Sequence, residues 1–190
     1  MIVVAEPNQV ETDLAAGVLT CPRCGGVLRR WAYAASRPVR QLDGTTRTVR
    51  PRRARCASCQ VTQVLLPGSL LPRRADATEV IGAALLAKAR GRGWRRIAAE
   101  LGRPPSTVRR WLRAARSPHP GWLYQQGISH VAQLDREVLA AGFDPQPTVL
   151  GDALVALAAA VAAWRRRFAR HAGAWTLIGV FTRGRLLAPT

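Results

Sequence analysis

Four cysteines stand in two pairs, Cys21-Pro22-Arg23-Cys24 and Cys56-Ala57-Ser58-Cys59, with 31 residues between the pairs. A two-residue spacer lets one tight turn aim both sulfurs at one ion, and Gly25 after the first pair eases the backbone past it. Two such turns complete a tetrahedral thiolate cage, the donor set and geometry that zinc accepts. The spacing therefore predicts one structural Zn2+ on Cys21, Cys24, Cys56 and Cys59, because four thiolates leave no open position for a substrate. A thioredoxin-like redox pair would need a single Cys-x-x-Cys between a strand and a helix, not two bracketing a hairpin. Paired cysteines in a reducing cytosol read as metal sites rather than disulfides.

The segments that must carry these turns read as strands. Val27–Ala34 and Thr46–Arg55 flank a loop centred on Asp43-Gly44, a hairpin signal, and a third extended run, Val61–Leu66, stops at Pro67-Gly68. Three short antiparallel strands pinned by a four-cysteine site make a zinc ribbon over residues 21–72. Arg50, Arg52, Arg53 and Arg55 lie on it, with Arg29, Arg30 and Arg47 nearby, where they are expected on or near phosphates.

Residues 73–116 carry a second chemical pattern, read as three short helices. Asp76 is placed to cap the first, whose Ala77, Val80, Ile81, Ala84 and Leu85 follow helical spacing. Gly91 and Gly93 break it, and Gly102 ends the second helix, in which Ile97, Ala98 and Leu101 face inward. Pro104-Pro105 start the third, whose inner side is Val108, Trp111 and Leu112. Ser106, Arg109, Arg110, Arg113 and Arg116 are left pointing outward, the set a recognition helix needs to enter the major groove, where arginine pairs with guanine O6 and N7. Thr107 and the helix N-terminus suit phosphate, and Arg95, Arg96 and Arg103 extend the cationic surface. Arg103 stands where such a turn commonly holds an apolar residue, so a looser turn is expected.

A Cys-Pro-x-Cys-Gly ribbon followed by an Ile-Ala-x-x-Leu-Gly second helix and a Ser-Thr-Val-x-x-Trp-Leu third helix resembles the N-terminal region of insertion-sequence transposases and their accessory repressors. It resembles still more closely a group of actinobacterial zinc-ribbon/helix-turn-helix proteins found near integrases and transposases. The resemblance covers roughly residues 20–116 and the closing Gly184-Arg185-Leu186-Leu187. It implies binding of double-stranded DNA at transposon ends or operators, with a transposase or integrase as partner, and brings no catalytic site.

The chain itself argues against an enzyme. A transposase of the three-carboxylate type needs spaced acids on a large sheet to hold two metal ions. After residue 116 only Asp135, Glu137, Asp144 and Asp152 remain, in a stretch of helix and loop. His119, His130 and His171 are scattered, and Tyr33 and Tyr124 lack a catalytic context.

Charge agrees with a polyanionic partner. Of 29 Lys and Arg residues, 22 lie between 21 and 116 with only four of the 11 acids, leaving seven of each sign elsewhere; the net charge is +18. A uniformly cationic surface kept for solubility would show no such partition. The N-terminus lacks a basic start, so no signal peptide is expected, and the longest apolar run, Ala153–Trp164, is short of the ~18–20 residues a membrane span needs. A cytoplasmic, nucleoid-associated protein is the expectation.

Residues 1–20 read as a strand/helix arm and residues 117–190 as a neutral helical region, completing an α+β architecture. Ser117–Gly121 reads as a linker. A helical pattern follows over Trp122–Ala141, open to interruption at Gly127, and another over Leu150–Ala172 with a stripe of Leu150, Leu154, Leu157, Val161, Trp164 and Phe168. That stripe calls for a partner helix, in a helical hairpin or a homodimer. Arg165–Arg167 and Arg170 suit the negative end of the helix dipole. Ala174–Phe181 fits a helix or a strand equally. Two rival functions stay open: a ribbon that docks a transposase or another enzyme, and an RNA-binding protein stacking bases on Trp31, Tyr33 and Trp94.

Overall fold

Short strands separated by turn residues account for most of the regular structure before residue 68. In the computed structural model, which describes residues 1–168 and 172–188, β1 (Ile2–Val4), β2 (Leu28–Tyr33), β5 (Arg52–Cys56) and β6 (Thr62–Pro67) form one sheet in the order β1-β6-β5-β2. β3 (Arg37–Arg40) and β4 (Thr46–Val49) make a separate antiparallel hairpin. The expected single strand Thr46–Arg55 thus divides at Arg50-Pro51 between two sheets. Pro51 has no N–H to continue a ladder, and it is buried with its carbonyl accepting from the Ala34 amide at 2.8 Å.

The three strands β2, β5 and β6 pair antiparallel, with Leu28 opposite Cys56 and Ala54 opposite Gln63. β1 pairs parallel to β6, Ile2 opposite Leu65, so the N-terminal residues are built into the sheet rather than forming a separate arm. Helix α1 (Val10–Ala16) ends at Gly17, whose φ of 69° suits a residue without Cβ. Val10 and Leu14 of α1 pack with Leu28, Ala54, Leu65, Cys21 and Cys56 in a small core of their own.

Helices dominate the remainder: α2 (Thr78–Ala89), α3 (Trp94–Glu100), α4 (Pro105–Ala114), α5 (His119–Leu134), α6 (Arg136–Ala141), α7 (Val149–Phe168) and α8 (Ala174–Phe181). The fold is mixed α+β. α2, α3 and α4 lie at the expected positions, with Gly102 at φ 58° closing the turn after α3. Val80, Ile81, Ile97, Val108 and Trp111 join one core with Leu123, Leu157 and Leu177, so these three helices are fused to the C-terminal ones. Full burial of each such aliphatic side chain contributes about 1.5–3 kcal/mol.

The linker expected at Ser117–Gly121 is mostly helix, because Pro120 falls in the first turn of α5, where no N–H donor is required. Gly127 does not interrupt α5. It lets α7 approach, since a Cβ there would sit 2.6 Å from the carbonyl carbon of Ala156. The break falls instead at Asp135, whose carboxylate accepts from the Val138 amide at 3.1 Å and starts α6. The stripe on α7 packs on α5 of the same chain: Leu150, Leu154, Leu157 and Val161 are buried, whereas Phe168 is exposed. Ala174–Phe181 is a helix. Arg170 and His171 lie outside the described residues, so the expected continuation of α7 to Ala172 is not described. Among the described residues no helix is long and apolar enough to cross a membrane.

Candidate metal centre and basic surface

The turns Cys21–Cys24 and Cys56–Cys59 lie at one end of the sheet, tied by the Cys21 amide donating to Gly26 O and the Ala57 amide donating to Val27 O. All four sulfurs lie within 4.8 Å of one another, with Cys21 Sγ 3.8 Å from Cys59 Sγ and Cys24 Sγ 3.5 Å from Cys56 Sγ. Cys21 and Cys56 are buried, Cys59 is half-buried and Cys24 faces solvent. Gly26 is required here, because a Cβ would lie 2.4 Å from Ser58 Oγ and 3.1 Å from Cys56 Sγ. The amides of Cys59 and Ser58 aim at Cys56 and outweigh its burial, lowering its thiol to about 6. The Gly26 amide pulls Cys24 down, yet hydrogen bonds with Cys59 and Cys56 and desolvation prevail and push it up to about 11. A cation among these sulfurs would favour the thiolate of each. The four cysteines form a group that can hold one structural metal ion.

Three acids neutralise arginines in pairs. Glu11 forms ion pairs with Arg30 at 2.9 Å and Arg52 at 2.8 Å; Asp76 accepts Arg40 and Arg103, each at 2.7 Å; Glu100 accepts Arg92 at 2.5 Å and Arg96 at 3.1 Å. Arg92 and then Arg96 hold the Glu100 carboxyl below its ordinary range despite some desolvation. This sorts the candidate nucleic-acid residues. Arg103 leaves the set: its side chain is 8% exposed and its guanidinium also donates to Leu101 O at 3.0 Å and Gln41 O at 2.8 Å. The turn expected to be loose is consequently strapped by the arginine that suggested looseness. Asp76 does not cap α2, which begins at Thr78 without a side-chain cap, because its carboxylate is committed to these two arginines. Arg52 is mostly enclosed by Glu11 and Tyr33, and Arg96 is paired but exposed.

α4 keeps the expected division. Ser106, Arg109, Arg110 and Arg113 are exposed, Thr107 is half-buried, and Val108, Trp111 and Leu112 are buried. None of Arg109, Arg110 or Arg113 has an ion-pair partner among the described residues. Arg95 and Arg109 lie over the Trp94 ring at 4.9 and 6.0 Å, which orders their guanidinium planes. On the sheet, Arg29 stands directly opposite Arg55, a like-charge pair that costs energy unless an anion bridges it. Trp31 and Tyr33 are 55% and 48% exposed, but Arg55 lies over Trp31 at 4.7 Å, and Arg52 and Arg50 lie over Tyr33 at 4.5 and 5.1 Å. Arg53 is half-buried and donates to Thr62 Oγ1 at 3.3 Å. Sequence reading overlooked Glu11 as the neutraliser of Arg30 and Arg52; no local pattern links residues brought together by β1 and α1.

A family described as a domain of unknown function (DUF6431) matches residues 21–111, which span both cysteine turns, α2, α3 and most of α4. No curated protein and no solved structure matches the chain.

Proposed function

We propose that the chain is a zinc-dependent DNA-binding protein, in which β2, β5 and β6 form a zinc ribbon on Cys21, Cys24, Cys56 and Cys59, and α2–α4 form a helix-turn-helix. The observation that carries the reading is α4 itself. Val108, Trp111 and Leu112 anchor one side, while Ser106, Arg109, Arg110 and Arg113 stand exposed on the other, the arginines with no ion-pair partner among the described residues. A helix so divided can seat in a major groove with its arginines at base edges. Zinc holds the sheet whose arginines reach phosphates. The role as a regulator or accessory factor of a mobile element rests on the resemblance of residues 20–116 and 184–187. The C-terminal helices pack on each other and on α2, which makes them the support of the reading head.

Selection of bound sequences from random duplex DNA at ~150 mM salt, where specific and non-specific binding separate, tests the proposal. A defined motif that disappears in the Arg109→Ala, Arg110→Ala double variant is expected. Retention of DNA without any motif, or a motif untouched by those substitutions, overturns recognition by α4.

A further inference from the structure

The closing motif Gly184-Arg185-Leu186-Leu187 is given no contact with DNA in the proposal above, yet the fold places Gly184, Arg185 and Leu187 in the wall of a cavity of about 420 Å3. Arg73 and Arg74, from the loop before α2, and Arg183 and Arg185, from the segment after α8, line this cavity over apolar side chains including Leu71 and Leu187. No acidic residue lines it, and none of the four arginines has an ion-pair partner among the described residues. Four cations around one small space repel one another unless an anion enters.

The backbone around them is held in place for that arrangement. Among the described residues three non-glycine residues have positive φ, and two of them, Arg73 at 57° and Arg183 at 51°, line this cavity. Such conformations persist where the surroundings over-determine them, as at ligand clamps. Arg37 donates to Leu71 O at 3.2 Å and Arg74 O at 3.3 Å, fixing one wall. On the other, His119 Nε2 lies 3.0 Å from Arg185 O, the Ala188 amide donates to Ala114 O at 2.9 Å, and Leu186 is fully buried. Gly184, at φ 73°, packs where a Cβ would come within 3.1 Å of Pro72. Both walls are thus anchored through backbone groups, which leaves the guanidiniums for a guest.

We infer that this cavity binds a phosphorylated ligand carrying at least two phosphoryl groups. Guanidinium forks match phosphate oxygens two at a time, and two arginines on each of two separate segments can bracket two such groups. The volume lies in the range of small-molecule sites, so the cavity takes more than a lone ion. The inference does not depend on α4 reading DNA.

Titration calorimetry of inorganic pyrophosphate into the full chain tests it, with sulfate at equal ionic strength as comparator. Saturable one-to-one binding is expected, weakened at least tenfold by Arg73→Gly, which removes the side chain without straining a positive φ, and by Arg185→Ala. Arg90→Ala, exposed on α2's far end, should leave it unchanged. Absence of saturation, sulfate binding as tightly as pyrophosphate, or wild-type affinity in both cavity variants overturns the site. Circular dichroism confirms folding, and Arg185→Gln replaces any variant that fails it. Competition with duplex DNA identifies the source of the phosphate. Mutual exclusion supports the site with a DNA-backbone phosphate as occupant, and simultaneous binding supports it with a free small molecule.

Discussion

Nε of Arg103, in the turn between α3 and α4, lies 2.7 Å from Oδ1 of Asp76, whose side chain is 3% exposed ahead of α2. Arg40 of β3 donates from Nη2 to Oδ2 at 2.7 Å and from Nε to the shared Oδ1 at 3.0 Å, and a further contact runs from Arg103 to Gln41 O in the β3–β4 turn. One buried carboxylate therefore joins the hairpin to the turn that launches α4. Removing it leaves Arg103 enclosed with its charge uncompensated, which costs about 3–5 kcal/mol. Asp76→Ala should lower stability by that amount. Arg40→Ala leaves the Arg103 pair intact and removes a partly exposed partner, so it should cost only about 1 kcal/mol. Denaturant unfolding of both variants checks the ranking; equal losses would mean that the buried pair is not the joint.

The four-cysteine end has only a small core, in which Leu14, Leu28, Ala54 and Leu65 do most of the packing. So little apolar burial rarely supports a sheet alone, and metal binding then becomes part of its folding energy. One equivalent of zinc per chain is expected by metal analysis. A chelator should abolish the strand signal and protection of the residue 21–67 amides while the α5–α7 amides remain protected in hydrogen exchange. Cys56→Ser should behave like chelated protein. Unchanged exchange at β2 and β5 after complete metal removal would contradict a structural role.

Much of this architecture was legible because local chemistry and tertiary structure agree. The knuckle spacing, the glycines at 91, 93 and 102, and the inward set Val108, Trp111 and Leu112 each carry their own signal. What escaped depends on long-range partners. Asp76 looks like a helix cap until Arg40 and Arg103 approach it, and Gly127 looks like a break until Ala156 lies against it. β1 is too short to announce itself, and its parallel pairing with β6 has no sequence signature. The apolar run at Ala174–Phe181 is a helix that brings Gly179 against Gly68 backbone to backbone, a fit that no periodicity reports.

That contact is a sensitive point. A Cβ on Gly179 would lie 2.0 Å from Gly68 O, and the same carbonyl accepts the buried Thr78 hydroxyl at 3.0 Å. Everything this Cβ would meet is Gly68 backbone rather than the end of a flexible side chain, so α8 must shift away from the β6–α2 connection. Gly179→Ala should destabilise the protein by about 3 kcal/mol, at the upper end of overpacking costs. Gly44→Ala, in an open turn where only φ is strained, should cost less than half as much. Thermal melting of the two variants side by side decides; a milder effect at Gly179 would show that α8 yields freely.

Two histidines give stability a pH dependence near neutrality. Burial holds the His119 imidazole below its ordinary range, although the Leu186 and Arg185 carbonyls pull it upward. Burial also lowers His130, which stacks on Phe181 at 4.4 Å, against a hydrogen bond with the Phe181 backbone and with help from Arg183. Each folded-state ring binds fewer protons than the unfolded one, so unfolding free energy rises with pH through this window. Their contribution is complete above about 6.5, the ordinary imidazole value, and is lost as pH falls below it. Melting temperatures of metal-loaded protein should fall between pH 7.5 and 5.5. The His119→Gln, His130→Gln variant should show a flatter profile, and a slope equal to wild type would assign the effect elsewhere.

The division between positioning and reading can be separated by salt. Arg110 is exposed on α4 with no acidic partner among the described residues, where a bidentate contact with guanine would be worth about 1–3 kcal/mol of discrimination. Arg47 is exposed on β4, in the hairpin whose Gln41 carbonyl receives Arg103 from the α3–α4 turn. Its exposure on that hairpin suits a phosphate, and a phosphate contact strengthens every sequence alike. Arg110→Ala should therefore relax preference at one base of the selected motif. Arg47→Ala should weaken matched and scrambled duplexes by the same factor and reduce the slope of log affinity against log salt by ~1. Fluorescence anisotropy across a salt series measures both effects. If Arg47→Ala changed sequence ranking while Arg110→Ala changed only the salt slope, the hairpin would be the reader and α4 the anchor.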